Sequence, residues 1–407
     1  MLKKQNGFAH WLFLILIIIL IAGVGVFVVA KHKGGSGGIL SSITDKTSSD
    51  NDCNSKAGLL KYSPVPIDKV STVVPLGNFA PPGHVTPTPH MYYNFIPTPG
   101  HNLPQKTDLV VPADMTITKL WLFDQGPTQP YKAYRLDFTI CSQVSGYFIL
   151  ILNLPDKLAS LASAPWDQTQ TSNVGNGIQH NYWKKVDVKM TAGESLGSAG
   201  GFEGAPDGLD FGLQDSREKQ PTQANPDRFK QPGGPLVCSL DYYDNSLSTQ
   251  LYNKLGGFDY VARNPGEPRC GTVYQDAPGT AQGIWFSQDT SVDQSNNVNA
   301  QLTLGHWNLD QSKGVFSAGN NIKQIGLNSS NIYLFTPQKS GTNNLDFNLV
   351  KPGKIYCYDV SSQGQSSDSS IAHILIKLTD DKTLQIGKTS SCSTSISVIS
   401  SPLTYIR

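Results

Sequence analysis

The chain has 407 residues, with 32 Lys+Arg against 31 Asp+Glu. A formal net charge of +1 argues against nucleic-acid binding as its main task, because a phosphate-binding domain carries a basic excess. Charged residues make up only 15%, and 38 Gly and 26 Pro fill much of the difference, which suits an all-β, loop-rich extracytoplasmic protein better than a cytosolic helical enzyme.

Residues 1–10 read as a short cytoplasmic tail. The next stretch, 11–30, opens at Trp11, ends at Ala30 and holds no charge. As a helix it would span about 30 Å, the thickness of a bilayer core. A cleaved signal usually has a shorter apolar region and a small-x-small site. The lipid bilayer is therefore the first expected partner. Lys3 and Lys4 precede the run, and Lys31 and Lys33 follow it. The short leading tail and the cysteines favour an N-in, C-out plasma-membrane topology over a cytoplasmic globule. Residues 31–60 are Gly-, Ser- and Asp-rich and read as a flexible tether.

Beyond the tether the expected fold is mainly β: an antiparallel β-sheet domain at 61–235 and a second β-rich region at 236–407. Strands are expected at 107–111, 115–123, 134–141, 146–154 and 181–190, from alternation or, at 146–154, from an almost continuous apolar run. Residues 155–163 read as a short helix and 217–235 as a loop. An amphipathic helix is expected within 242–255, with an Asn-Ser start as its cap and Gly256-Gly257 as its stop. Strands follow at 271–274, 282–286, 300–307, 315–317, 331–335, 354–360, 371–378 and 382–386, with a hairpin turn at 379–382. Trp285 reads as a core side chain following a turn, or as a carbohydrate or peptide contact.

Six cysteines are present, Cys53, Cys141, Cys238, Cys270, Cys357 and Cys392, with no Cys-x-x-Cys pair. An even number outside the cytoplasm points to disulfides, and six cysteines allow 15 pairings. Locality favours Cys238–Cys270 and Cys357–Cys392, which leaves Cys53 with Cys141.

Three stretches together resemble the lysostaphin-type zinc metallopeptidases, which cut peptidoglycan cross-bridges. Val111-Pro112-Ala113-Asp114-Met115-Thr116-Ile117 is similar to the A-P-A-D-G-x-V segment of that family. Gly193-Glu194-Ser195-Leu196-Gly197-Ser198-Ala199-Gly200 is similar to its glycine-rich turn. Gly83-His84 and His90-Met91-Tyr92-Tyr93-Asn94 fall where the first His-x-x-x-Asp signature is expected. The resemblance covers about residues 76–215 and implies an open antiparallel sheet in a cell-envelope setting.

The zinc ligands that the resemblance calls for are largely missing. His90 can stand for the first ligand, but Asn94 replaces the acid, and counting from His84 reaches Thr88. The strand expected to hold Tyr-x-His-Leu reads Tyr147-Phe148-Ile149-Leu150-Ile151. The His-x-His position reads Gly208-Leu209-Asp210-Phe211. A catalytic zinc needs three protein ligands and an open position for water. His101, His180, His306 and His373 lack ligand spacing. The expectation is a pseudo-metallopeptidase with no catalytic residue, no cofactor and no bound metal, His90 being vestigial. Its expected partners are a cell-wall peptide or glycan, or another envelope protein. The alternative is a zinc-dependent peptidoglycan endopeptidase with a rearranged metal site. For His84 and His90 the plain reading is a turn or strand residue bonded to backbone.

Overall fold

The computed structural model describes residues 53, 55–99, 103–124, 126, 131–174, 177–228, 234–363, 371–392 and 396–407. The tail, the expected membrane segment 11–30 and the tether up to residue 52 lie outside them. Among the described residues no helix is long and apolar enough to cross a membrane.

The chain is mainly β. Its first sheet has nine strands: β1 (Val70–Val74), β2 (Met91–Phe95), β4 (Met115–Asp124), β5 (Ala133–Thr139), β6 (Val144–Ile151), β7 (Gln168–Val174), β8 (Gly177–Met190), β10 (Gly208–Asp215) and β11 (Leu236–Val237). Their order is β1-β2-β10-β6-β5-β4-β8-β7, with β11 on the far end of β10, and every pairing is antiparallel. A separate ribbon pairs β3 (Thr107–Val110) with β9 (Ser195–Ala199). The glycine-rich turn feeds β9. Gly197 there has φ of 118°, and a Cβ on it would sit 2.1 Å from the Asn153 carbonyl oxygen, so only glycine fits.

One face of the sheet is the core. Phe138, Phe148 and Phe211 stack across β5, β6 and β10 with centroids 4.8 and 4.9 Å apart. The short helix α1 (Asp156–Ala162) docks Leu158 on this core. The segment from Leu236 to Cys270, assigned from sequence to the second region, also packs here, through Leu240, Tyr242, Tyr243, Leu251 and Leu255. Its helix α2 (Asn245–Tyr252) is capped by Asp244, whose carboxylate accepts from the Leu247 amide at 2.9 Å, rather than by an Asn-Ser start. Residues 271–274 do not form a strand. Gly271 makes a single bridge to Leu76, because β1 has already ended there.

The second unit is a closed eight-stranded barrel: β12 (Gly283–Ser287), β13 (Gln301–Trp307), β14 (Asp310–Ala318), β15 (Tyr333–Phe335), β16 (Ile355–Ser362), β17 (Ala372–Asp380), β18 (Thr383–Thr389) and β19 (Leu403–Ile406). Each strand pairs with the next, and β19 returns to β12, so no sheet edge is left open. Alternate residues fill the interior, where Phe316, Phe335, Phe347 and Tyr358 cluster with centroids of 4.8 to 5.9 Å. Trp285 is fully buried among them and donates Nε1–H to the Ala281 carbonyl at 3.0 Å, which makes it a core residue and not a ligand contact.

All six cysteines are bridged, as Cys53–Cys141, Cys238–Cys270 and Cys357–Cys392, the pairing that locality favours. Cys53–Cys141 closes the longest loop, with a sequence separation of 88, and ties the end of the tether to the turn after β5. Replacing both of its cysteines with serine is expected to cost about 2–4 kcal/mol, mainly by freeing the unfolded chain. Urea melts of the full chain in detergent check this, and an unchanged midpoint would count against it.

Candidate functional site

The second face of the large sheet holds the residues that the resemblance singles out. His90 stands just before β2, and Asp210 lies on the neighbouring β10. His90 Nε2 is 3.4 Å from Asp210 Oδ2, and the two side chains are 1% and 5% exposed. Tyr92 packs edge-on against the imidazole at 4.7 Å. Tyr147 donates its hydroxyl to the Pro89 carbonyl at 2.9 Å and stands 3.5 Å from His90 Nδ1. Gly212 makes room for this ring, since a Cβ there would lie 2.4 Å from it.

Burial sets the charge state. Desolvation, helped by His84 and Arg135, holds His90 well below the usual imidazole range. Desolvation also pushes the Asp210 carboxyl well above the usual carboxylate range. Both directions favour the neutral forms over an ion pair. Tyr92 is likewise raised by burial, then by Asp210. Its hydroxyl faces Thr88 and Asn78 without reaching hydrogen-bond geometry. Tyr92 OH, Thr88 Oγ1, Asn78 Nδ2, His90 Nε2 and Asp210 Oδ1 are all buried with no hydrogen-bond partner among the described residues.

Asn94, where the resemblance expects an acid, is engaged elsewhere. Asn94 donates Nδ2–H to Thr72 Oγ1 at 2.9 Å and to the Gly257 carbonyl at 3.3 Å, linking β1 and β2 to the loop after α2. Gly208 lies opposite Asn94 and offers no ligand. Leu150 sits in a left-handed conformation with φ of 72°. The barrel covers this end of the face. Leu309 and Trp307, at the β13–β14 turn, pack with Phe258 and Val74 around Tyr92. Neighbouring Asn308 donates to the Pro75 carbonyl at 3.0 Å.

Among the described residues one three-ligand group converges, Asp359, His373 and Cys392, on the barrel. Cys392 is bonded to Cys357, so the group offers no thiolate and is a poor metal site.

From the buried pair, two transverse rows of side chains cross the same face. One runs Tyr92, Asp210, Ile149, Arg135, Trp121 and Trp183 over β2, β10, β6, β5, β4 and β8. The next runs Gly212, Tyr147, Asp137, Lys119 and Lys185. A register shift in β4 between Ile117 and Lys119 builds this face. Ile117 and Leu120 both reach the core, and the extra residue turns Lys119, Trp121 and Phe123 to the opposite side. The ammonium of Lys119 lies 4.0 Å from the Trp121 ring centroid and 3.7 Å from that of Trp183. The Arg135 guanidinium lies 4.1 Å from the Tyr147 ring, and its Nε–H donates to Asp137 at 2.6 Å. Asp137 also accepts from Trp121 Nε1 at 3.0 Å. Sequence reasoning missed this row; the available signal was the Lys-Leu-Trp and Trp-Lys-Lys clusters on two alternating strands.

Comparison of the chain with family models, with curated proteins and with solved structures gives no match.

Proposed function

We propose that the chain is a membrane-anchored, extracytoplasmic protein whose first domain is a non-catalytic relative of the lysostaphin-type peptidases, acting in cell-envelope binding or assembly. The anchor is residues 11–30, with the tail inside and both β units outside the plasma membrane. Three disulfides fit an oxidising compartment.

The observation that carries the reading is the His90–Asp210 pair, buried and covered by Tyr92 and the barrel, while Asn94 is engaged with Thr72 and Gly257. Water activation needs a metal held by three ligands with one position open, and leaving-group departure needs a positioned acid–base residue. His90 and Asp210 offer two ligand side chains, 1% and 5% exposed. The expected role of this face is to hold a wall component or a partner protein.

Incubating the full chain, in detergent and with added zinc, on purified peptidoglycan is expected to release no more soluble muropeptide than His90→Ala does. Release that depends on His90 would establish instead an endopeptidase with a rearranged metal site.

A further inference from the structure

The half-exposed end of the same face has a chemistry of its own. Lys119 has no hydrogen-bond or ion-pair partner among the described residues and rests on two indole rings. Arg135 engages Asp137 through Nε, and its terminal amino groups make no protein hydrogen bond among the described residues. Burial holds the Lys119 pKa down, with Arg135 and Lys185 adding repulsion against the pull of Asp137. Two cations with unspent donors therefore border Trp121, Lys119 two residues before it on β4 and Arg135 opposite it on β5. This arrangement calls for an anion that also has a flat apolar face.

We propose that Lys119, Trp121, Trp183 and Arg135 form a binding site for a carboxylated sugar polymer. The sugar carboxylate draws the Lys119 ammonium off the rings and takes charge-assisted hydrogen bonds from Lys119 and Arg135, and the C–H face of the pyranose takes the ammonium's place on the part-exposed indoles. Asp137 accepts from sugar hydroxyls beside it. A neutral glycan leaves both cations unmatched, and an acidic peptide leaves the indole faces without a flat partner. The site is distinct from the His90–Asp210 pair, and it stands whether or not that pair ever held zinc.

The test uses the full chain in detergent micelles, titrated with polygalacturonate and followed by tryptophan fluorescence and by ultracentrifugal co-sedimentation. Dextran, poly-L-glutamate and single-stranded oligothymidylate serve as comparison ligands. Saturable binding of polygalacturonate is expected, at least about tenfold tighter than to the other three. Lys119→Gln, a half-exposed change that removes no core contact, is expected to weaken it about tenfold or more. Lys323→Gln on the barrel is expected to leave it unchanged. Trp183→Phe, which keeps a ring but shortens it, is expected to weaken binding severalfold. No binding to polygalacturonate would overturn the proposal, as would Lys119→Gln binding like the unaltered chain. Equal affinity for poly-L-glutamate would reduce the site to a general polyanion patch, and tighter binding of the oligonucleotide would assign it to single-stranded nucleic acid; either result overturns it.

Discussion

Asp215→Ala is expected to be among the most damaging single changes in the first domain, costing about 3–5 kcal/mol. Its carboxylate is fully buried and takes hydrogen bonds from Arg217 Nε at 2.9 Å, Arg217 Nη2 at 2.6 Å, the Arg217 amide at 2.9 Å and the Tyr242 hydroxyl at 2.5 Å. Arg217 in turn reaches the Cys53 carbonyl, so one acid joins the end of β10, the turn before α2 and the first disulfide. Removing it leaves the Tyr242 hydroxyl unpaired in the core and Arg217 without its anion. Acid should have a related effect. Desolvation raises the Asp215 pKa, but the bonds from Arg217 and Tyr242 outweigh it and hold the group at about 2, below the usual carboxyl value of 3.8. A depressed folded pKa means stability that is present above the unfolded pKa and lost as pH falls through the folded one. The loss should therefore run from about pH 4 down through about pH 2 and amount to about 2 kcal/mol. Urea melts at pH 6 and pH 2.5 check both points. Asp215→Ala should show a smaller drop between these pH values than the unaltered chain.

Trp285→Ala is expected to destabilise the barrel by about 3–5 kcal/mol, the usual cost of removing a large buried ring. The ring is wholly buried, and the guanidinium of Arg407 lies 4.2 Å from its centroid. Arg407 is paired at 3.5 Å with Asp276, both side chains being 1% exposed, and it also donates to the carbonyls of Thr280 and Gln282. Losing Trp285 therefore opens a cavity and loosens the group that fastens β19 to the start of the barrel. Near-ultraviolet circular dichroism during urea unfolding should show the barrel transition move to lower denaturant. If the first-domain transition stays in place, the two units unfold separately; an unmoved barrel transition would contradict the packing described.

The strands that were legible in the sequence share a feature. β4, β5 and β8 alternate because one face meets the core and the other meets solvent or polar neighbours. The barrel strands alternate for the same reason, and β6 reads as an apolar run because it is covered on both faces. β1, β2 and β10 are buried almost throughout yet are built from Val-Ser-Thr, Tyr-Asn and Gly-Asp mixtures, so neither alternation nor an apolar run marks them. The boundary near residue 236 misled for a physical reason. Composition shifts there, but Leu240, Tyr242 and Leu251 fold back onto the first core, and the Cys238–Cys270 bridge holds them.

The candidate site divides in the same way. His90 and Asp210 fall in stretches that the sequence resemblance covers, because such a match needs only the order of residues along the chain. The Lys119–Trp121–Trp183–Arg135 cluster could not be found this way, because it depends on the β4 bulge and on the register of β4 with β5 and β8. The engagement of Asn94 with Thr72 and Gly257 was equally hidden, since its partners lie 22 and 163 residues away.

No catalytic zinc is expected on the sheet face that carries His90 and Asp210. Elemental analysis of the full chain, purified in detergent without chelator and then equilibrated with zinc, tests it most directly. Far less than one zinc per chain is expected, with no difference between the unaltered protein and His90→Ala. About one tightly held zinc per chain, lost in His90→Ala, would contradict it.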